Sequence, residues 1–272
     1  MRAKQLKNNE KPIGIFDSGL GGLKLLTDLR KQFPNESFLY LGDTARLPYG
    51  SKSKKTIQNY SKKIVEFLIS KNVKMIIIAC NTASSLASDY LKNLFDIPIV
   101  EVVTPCLQKA IKETKNQRVG VIGTSATIQS KIYSRLINQI NNKIIVIEKA
   151  CPLLVPIIEV GIENKLIISE LLNEYFHKLL ESDIDTLILG CTHYSIIEKY
   201  ILAFFNNNIS LITSSNSINS SVKKILFDFD MMNCNTISKN TYYVTDLSLT
   251  FKEQAKVLLG IDSIDINLVN IV

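Results

Sequence analysis

Met75-Ile76-Ile77-Ile78-Ala79-Cys80-Asn81-Thr82 and Thr186-Leu187-Ile188-Leu189-Gly190-Cys191-Thr192-His193 share one pattern: an unbroken apolar run, a small residue, a cysteine, then hydrogen-bonding side chains. Short apolar runs rich in β-branched residues and bounded by polar turn residues read as strands buried on both faces. In an open α/β sheet, ligands bind outside the carboxyl ends of the strands. Two thiols delivered by two such ends can flank one carbon from opposite sides, which is the geometry of a two-base proton transfer.

Outward from these runs the chain alternates. Residues 13–16 read as a strand closed by Asp17-Ser18-Gly19, a helix follows over about 22–32, and 37–41 is a second strand. A long helix over about 53–71 leads into the strand 73–79. The order then recurs: a strand at 118–122, a helix over 125–140, a strand at 143–147, a connecting loop at 152–161, a helix over 165–181 and the strand before Cys191. Strands alternating with helices specify parallel sheets covered on both faces. Gly14 and Gly120 lie 106 positions apart and Cys80 and Cys191 lie 111 apart, so the second half repeats the first with a few residues inserted. The expected fold is α/β: two pseudosymmetric, doubly wound lobes with parallel-sheet cores and an active-site cleft between them. After about Leu211 come Ser-rich turns, a helix near 220–227 and Tyr242-Tyr243-Val244. This segment is expected to return to the first lobe, which divides the chain into 1–104 plus 212–272 against 105–211.

Composition narrows the function classes. Over 272 residues, 46% are apolar and 21% charged, ordinary for a globular protein. No run approaches the roughly 18 apolar residues that a membrane span requires. The polar, basic residues 1–11 lack the apolar core of a secretory signal and read as a short solvated arm, so a cytoplasmic location is expected. The net charge of +7 comes mostly from lysines spread along the chain. With no arginine stripe interleaved with aromatics and no helix-turn-helix or zinc-finger spacing, no nucleic-acid partner is expected. The five cysteines are odd in number and widely spaced, which argues for free thiols rather than a disulfide framework. Without a C-x-x-C pair, and with only His177 and His193, no metal centre is expected either.

The reactive candidates follow from context. Cys106, Cys151 and Cys234 read as small core hydrophobes. Cys80 differs because polar residues and a helix start follow it, and a helix N-terminus with nearby donors is expected to lower a thiol pKa from about 8.5. The same holds for Cys191, where His193 becomes a plausible proton partner. Asp17-Ser18-Gly19-Leu20-Gly21-Gly22 lacks the Lys-Ser/Thr of a phosphate loop. It is explained equally by a tight strand-to-helix turn and by a pair of polar residues facing a cleft. Pro48-Tyr49-Gly50 alone reads as a surface turn. Glu159, after an apolar run, is a solvated carboxylate or a group that positions a base.

Six motifs in order, GIFDSGLGGL, GDTARLPYG, ACNTAS, GVIGTSAT, CPLLVPIIEVG and GCTHY, resemble those of the cofactor-independent aspartate/glutamate racemases. The resemblance implies interconversion of L- and D-glutamate without pyridoxal phosphate or another cofactor, supplying D-glutamate for peptidoglycan and hence cell-wall biosynthesis. It implies Cys80 and Cys191 as the two catalytic bases, the first acting on D-glutamate and the second on the L-isomer. Asp17, Glu159 and His193 would assist them. Asp17, Ser18, Tyr49, Gly50, Asn81, Thr82, Thr124, Thr192 and His193 would bind substrate. A homodimer and a cell-wall-precursor activator at the N-terminal arm are partners that the resemblance allows. Three rivals remain open on the residues: a racemase of aspartate or another small amino acid, a cysteine-nucleophile hydrolase, and a two-lobed small-molecule-binding protein.

Overall fold

A computed structural model describes residues 8–161, 165–234 and 238–271. The first half runs β1 (Ile13–Asp17), α1 (Gly21–Gln32), β2 (Phe38–Gly42), α2 (Lys54–Ser70), β3 (Met75–Ile78), α3 (Asn81–Leu94) and β4 (Ile99–Glu101). The second half runs α4 (Val103–Glu113), β5 (Arg118–Gly123), α5 (Ser125–Gln129), α6 (Ile132–Ile140), β6 (Ile145–Ala150), α7 (Leu154–Glu159), α8 (Lys165–Glu181), β7 (Thr186–Gly190), α9 (Glu198–Phe204) and β8 (Ser210–Ile212). The chain closes with α10 (Ser214–Ser217), α11 (Asn219–Asp228), β9 (Asn240–Val244), α12 (Leu249–Leu259) and β10 (Ile266–Leu268).

The strands form two parallel sheets, ordered β10-β9-β2-β1-β3-β4 and β6-β5-β7-β8. Each sheet is buried on both faces, which is why its central strands carry uninterrupted apolar runs. Successive side chains alternate between faces: Met75 and Ile77 pack in one core cluster with Ile13 and Ile15, while Ile76 and Ile78 pack in another with Phe16 and Leu41. The second sheet divides likewise, Leu187 and Leu189 on one side and Ile188 with Val119 and Val121 on the other. The late segment does return: β9 pairs in parallel with β2, from Phe38↔Asn240 to Gly42↔Val244. The α/β architecture with parallel sheets in two lobes thus matches the expectation.

Three local readings need correction. The helix expected over 125–140 is two helices, because Ser130 donates back to the Thr127 carbonyl and Lys131 adopts a left-handed conformation with φ 54°. The expected loop at 152–161 contains α7, whose Pro156 lies in the first turn, where proline forfeits no helical hydrogen bond. The arm ahead of Pro12 is not wholly solvated: residues Asn8–Glu10 form a turn, and Lys74 Nζ donates to the Asn9 carbonyl at 2.8 Å. Residues 1–7 of that arm lie outside the described residues. Among the described residues, no helix is long and apolar enough to cross a membrane.

Candidate active site

Parallel register brings the carboxyl ends of β1, β2 and β3 level, with Asp17 opposite Gly42 and Phe16 opposite Ile78. In the other lobe Gly123 at the end of β5 sits opposite Gly190 at the end of β7. These two sets of strand ends face each other across a cavity of about 80 Å³, room for about three water molecules. Cys80 and Cys191 both line it, as do Ser18, Tyr49, Gly50, Asn81, Thr82, Thr124, Thr192 and His193. No lysine lines it.

The two thiols have different surroundings. Cys80 precedes α3 directly and its Sγ donates to Ser18 Oγ at 3.8 Å. The expected lowering of its pKa is overturned. Burial pushes the thiol up and the Asp17 carboxylate adds to this, outweighing the backbone donor at Ala83 and the Ser18 hydroxyl. Cys191 Sγ lies 3.8 Å from His193 Nδ1, and His193 Nε2 lies 2.5 Å from Glu159 Oε1. Burial alone would pull the imidazole down. Its hydrogen bonds to Cys191 and Glu159, with their negative charge, override burial and hold it well above its ordinary value. Burial opposes the Glu159 carboxylate as well, yet its hydrogen bond and attraction to His193, with the Leu20 N–H at 3.2 Å, keep it below the usual range. The cysteine, imidazole and carboxylate therefore form a hydrogen-bonded chain running from the cavity wall inward.

Asp17, expected at the ligand, stands behind the wall. Asp17 is fully buried and does not line the cavity; it accepts from Gly22 N at 2.6 Å and from Thr192 Oγ1 at 3.2 Å, linking the lobes. Burial lifts its carboxyl above the usual range against the pull of His193 and its donors. Glu159 likewise does not line the cavity and meets it through its contact with His193. Tyr49 is not on a surface turn, being 1% exposed, and its hydroxyl donates to Asp43, which also accepts from Arg46 Nε at 2.8 Å and Thr245 Oγ1 at 2.9 Å.

Residues 24–214 match the family model described as Asp/Glu/Hydantoin racemase. A glutamate racemase from a Sulfurihydrogenibium species is 41% identical over 250 residues, 92% of this chain and 94% of that one. The solved glutamate racemase of Francisella tularensis in complex with D-glutamate has TM-score 0.91 at 36% identity, covering 97% of this chain and 98% of that one. A glutamate racemase isoform of Bacillus anthracis gives TM-score 0.92 at 33% identity, covering 96% and 98%. The chain belongs to the Asp/Glu/hydantoin racemase family.

As a racemase it is an isomerase, and several residues of its site escaped the sequence reading. Thr127 joins Thr82 and Thr124 in a set of three hydroxyls, at 3.3 and 3.0 Å. Its place one helical turn after the Thr124 cap was the available signal. Leu47, Pro48, Ser51, Ser125, Pro152 and Val155 also line the racemase cavity. Asp43 lay inside the quoted GDTARLPYG motif without a role.

Proposed function

We propose that the protein interconverts L- and D-glutamate by α-proton transfer between Cys80 and Cys191. The observation that carries this reading is that thiols from corresponding strand ends of two lobes line one cavity. One cysteine, as thiolate, takes the α-proton and leaves the C–H electron pair on Cα. The carbanion is stabilised by delocalisation into the carboxylate and by surrounding donors. The opposite thiol then gives its proton to the other face, so the enzyme ends with the proton on the first sulfur and a thiolate on the second.

Deprotonation is uphill by about 1.4 kcal/mol per pKa unit separating the α-proton from the thiol, so donors must be dense around the carboxylate. Thr82, Thr124 and Thr127, with the backbone N–H groups at the starts of α3 and α5, supply them. Cys80 works on the D-isomer and Cys191 on the L-isomer, with His193 exchanging protons with Cys191 under the hold of Glu159. Cys80 rests as a thiol, so the substrate's own ammonium group provides the positive charge that favours its thiolate. The reaction needs no pyridoxal phosphate. The lobes, 1–104 with 212–272 and 105–211, close on the substrate, and the D-glutamate made feeds peptidoglycan synthesis.

Incubation of the purified protein with L-glutamate in deuterated water, without added pyridoxal phosphate, tests this. Optical rotation is expected to decay to zero while deuterium enters the α-position. Unchanged rotation with no α-deuterium would overturn the reading.

A further inference from the structure

Tyr133 does not line the cavity, yet it touches both thiol loops. It belongs to α6 in the second lobe and is fully buried. Its ring packs on Gly190, the residue before Cys191, so closely that a Cβ there would come within 3.3 Å of Tyr133 Cε2. Its hydroxyl accepts a 2.9 Å hydrogen bond from Nδ2 of Asn81, the residue after Cys80 in the opposite lobe. The other end of that carboxamide, Oδ1, accepts from Ser214 Oγ at 3.5 Å, where the chain has just crossed back between the lobes. Both Asn81 and Ser214 are buried, so no water replaces a lost partner freely.

We propose that Tyr133 is a positioning residue for the racemase reaction, a rigid spacer that fixes the Cys80 loop against the Cys191 loop. An aromatic ring with two rotatable bonds, wedged on backbone at one end and hydrogen-bonded at the other, sets a distance that a flexible side chain cannot. Two bases acting on opposite faces of one carbon depend on that distance, whereas holding the substrate's carboxylates depends on it little. An error near 1 Å in the placement of reacting groups costs on the order of a hundredfold in rate. The effect of the hydroxyl therefore falls on kcat and travels through Asn81. This inference rests on the two-thiol reading.

The test is Tyr133→Phe, which keeps the ring on Gly190 and deletes only the acceptor. A loss of about five- to tenfold in kcat in both directions is expected, with KM within about twofold and an unchanged circular dichroism spectrum. In an Asn81→Ala background the same substitution is expected to change nothing further. α-Deuterium exchange at high enzyme concentration gives the rate where turnover is too slow. Ser214→Ala releases the other end of the same carboxamide and is expected to lower kcat alike, keeping the question decidable should Tyr133→Phe fold poorly. Unchanged kcat in folded Tyr133→Phe, or an undiminished further loss on the Asn81→Ala background, overturns the proposal. A wild-type protein that leaves the α-proton of glutamate untouched would instead sink the two-thiol reading itself.

Discussion

Cys80 and Cys191 sit in unequal settings, one a deeply buried thiol beside Ser18 and Asp17, the other beside an imidazole backed by a carboxylate. Cys80→Ala and Cys191→Ala should each cost at least about a hundredfold in racemisation, the usual worth of a positioned acid or base; near-normal optical-rotation kinetics in either variant would remove that cysteine from the mechanism. The His193–Glu159 pair makes a separate prediction through pH. His193 binds its proton more tightly folded than unfolded, so its contribution to stability is full below its ordinary value of 6.5 and is lost as pH rises through the raised folded value. Glu159, held below 4.5, contributes above that value and loses its share as pH falls through the lowered one. The pair is most stabilising between these limits. The denaturation midpoints of wild type and His193→Asn should thus differ most between about pH 4.5 and 6.5 and converge in alkaline solution, and a gap that widens as pH rises above 6.5 would contradict the ion pair.

At the scale of elements, the loop from Asp43 to Ser51 shows how the fold presents a short stretch of backbone to a ligand. Asp43 ends up fully buried because β2 stops at Gly42, and its carboxylate collects Tyr49, Arg46 and Thr245. Arg46 in turn lies 4.4 Å over the Tyr60 ring. With the Tyr49 hydroxyl committed to Asp43, what reaches the cavity at this point is ring and main chain. Tyr49→Phe is therefore expected to lower stability by about 1 kcal/mol while KM for glutamate moves less than about threefold; a large rise in KM would mean that the hydroxyl meets substrate. The strands and thiols of this architecture were legible because each is a local statement, an apolar run ending in a small residue and a cysteine. The break at Lys131 was not, since no glycine or proline marks it and it depends on Ser130 turning back to Thr127. Nor were the inward placement of Asp17 and the contacts of Tyr133, which join residues 175 and 52 positions apart. The raised thiol of Cys80 was missed for a related reason: helix position can be read from sequence, but depth of burial cannot.

Across the whole molecule, the cavity exists only because two independently cored lobes touch at points that tolerate no extra atoms. Gly50 of the first lobe meets Thr124 of the second so closely that a Cβ would lie 2.5 Å from Thr124 Cβ, and a Cβ on Gly21 would lie 2.6 Å from the backbone nitrogen of His193. Since side chains from both lobes line the cavity, ligand binding should stabilise the pair of lobes together. At a ligand concentration about a hundredfold above Kd this amounts to about 2.7 kcal/mol, several degrees in thermal midpoint for a chain of this size. Both enantiomers of glutamate should produce the shift, and aspartate, one methylene shorter, should produce much less. Gly50→Ala should lower the stability of the free protein by about 1–3 kcal/mol of overpacking and also lose most of the glutamate-induced shift, because the added methyl strikes Thr124 where the lobes meet. Scanning calorimetry of both proteins with D-glutamate, L-glutamate and L-aspartate separates the cases: an equal shift with aspartate would assign the site to small amino acids at large, and a full shift in Gly50→Ala would show that the ligand is held without the contact between the lobes.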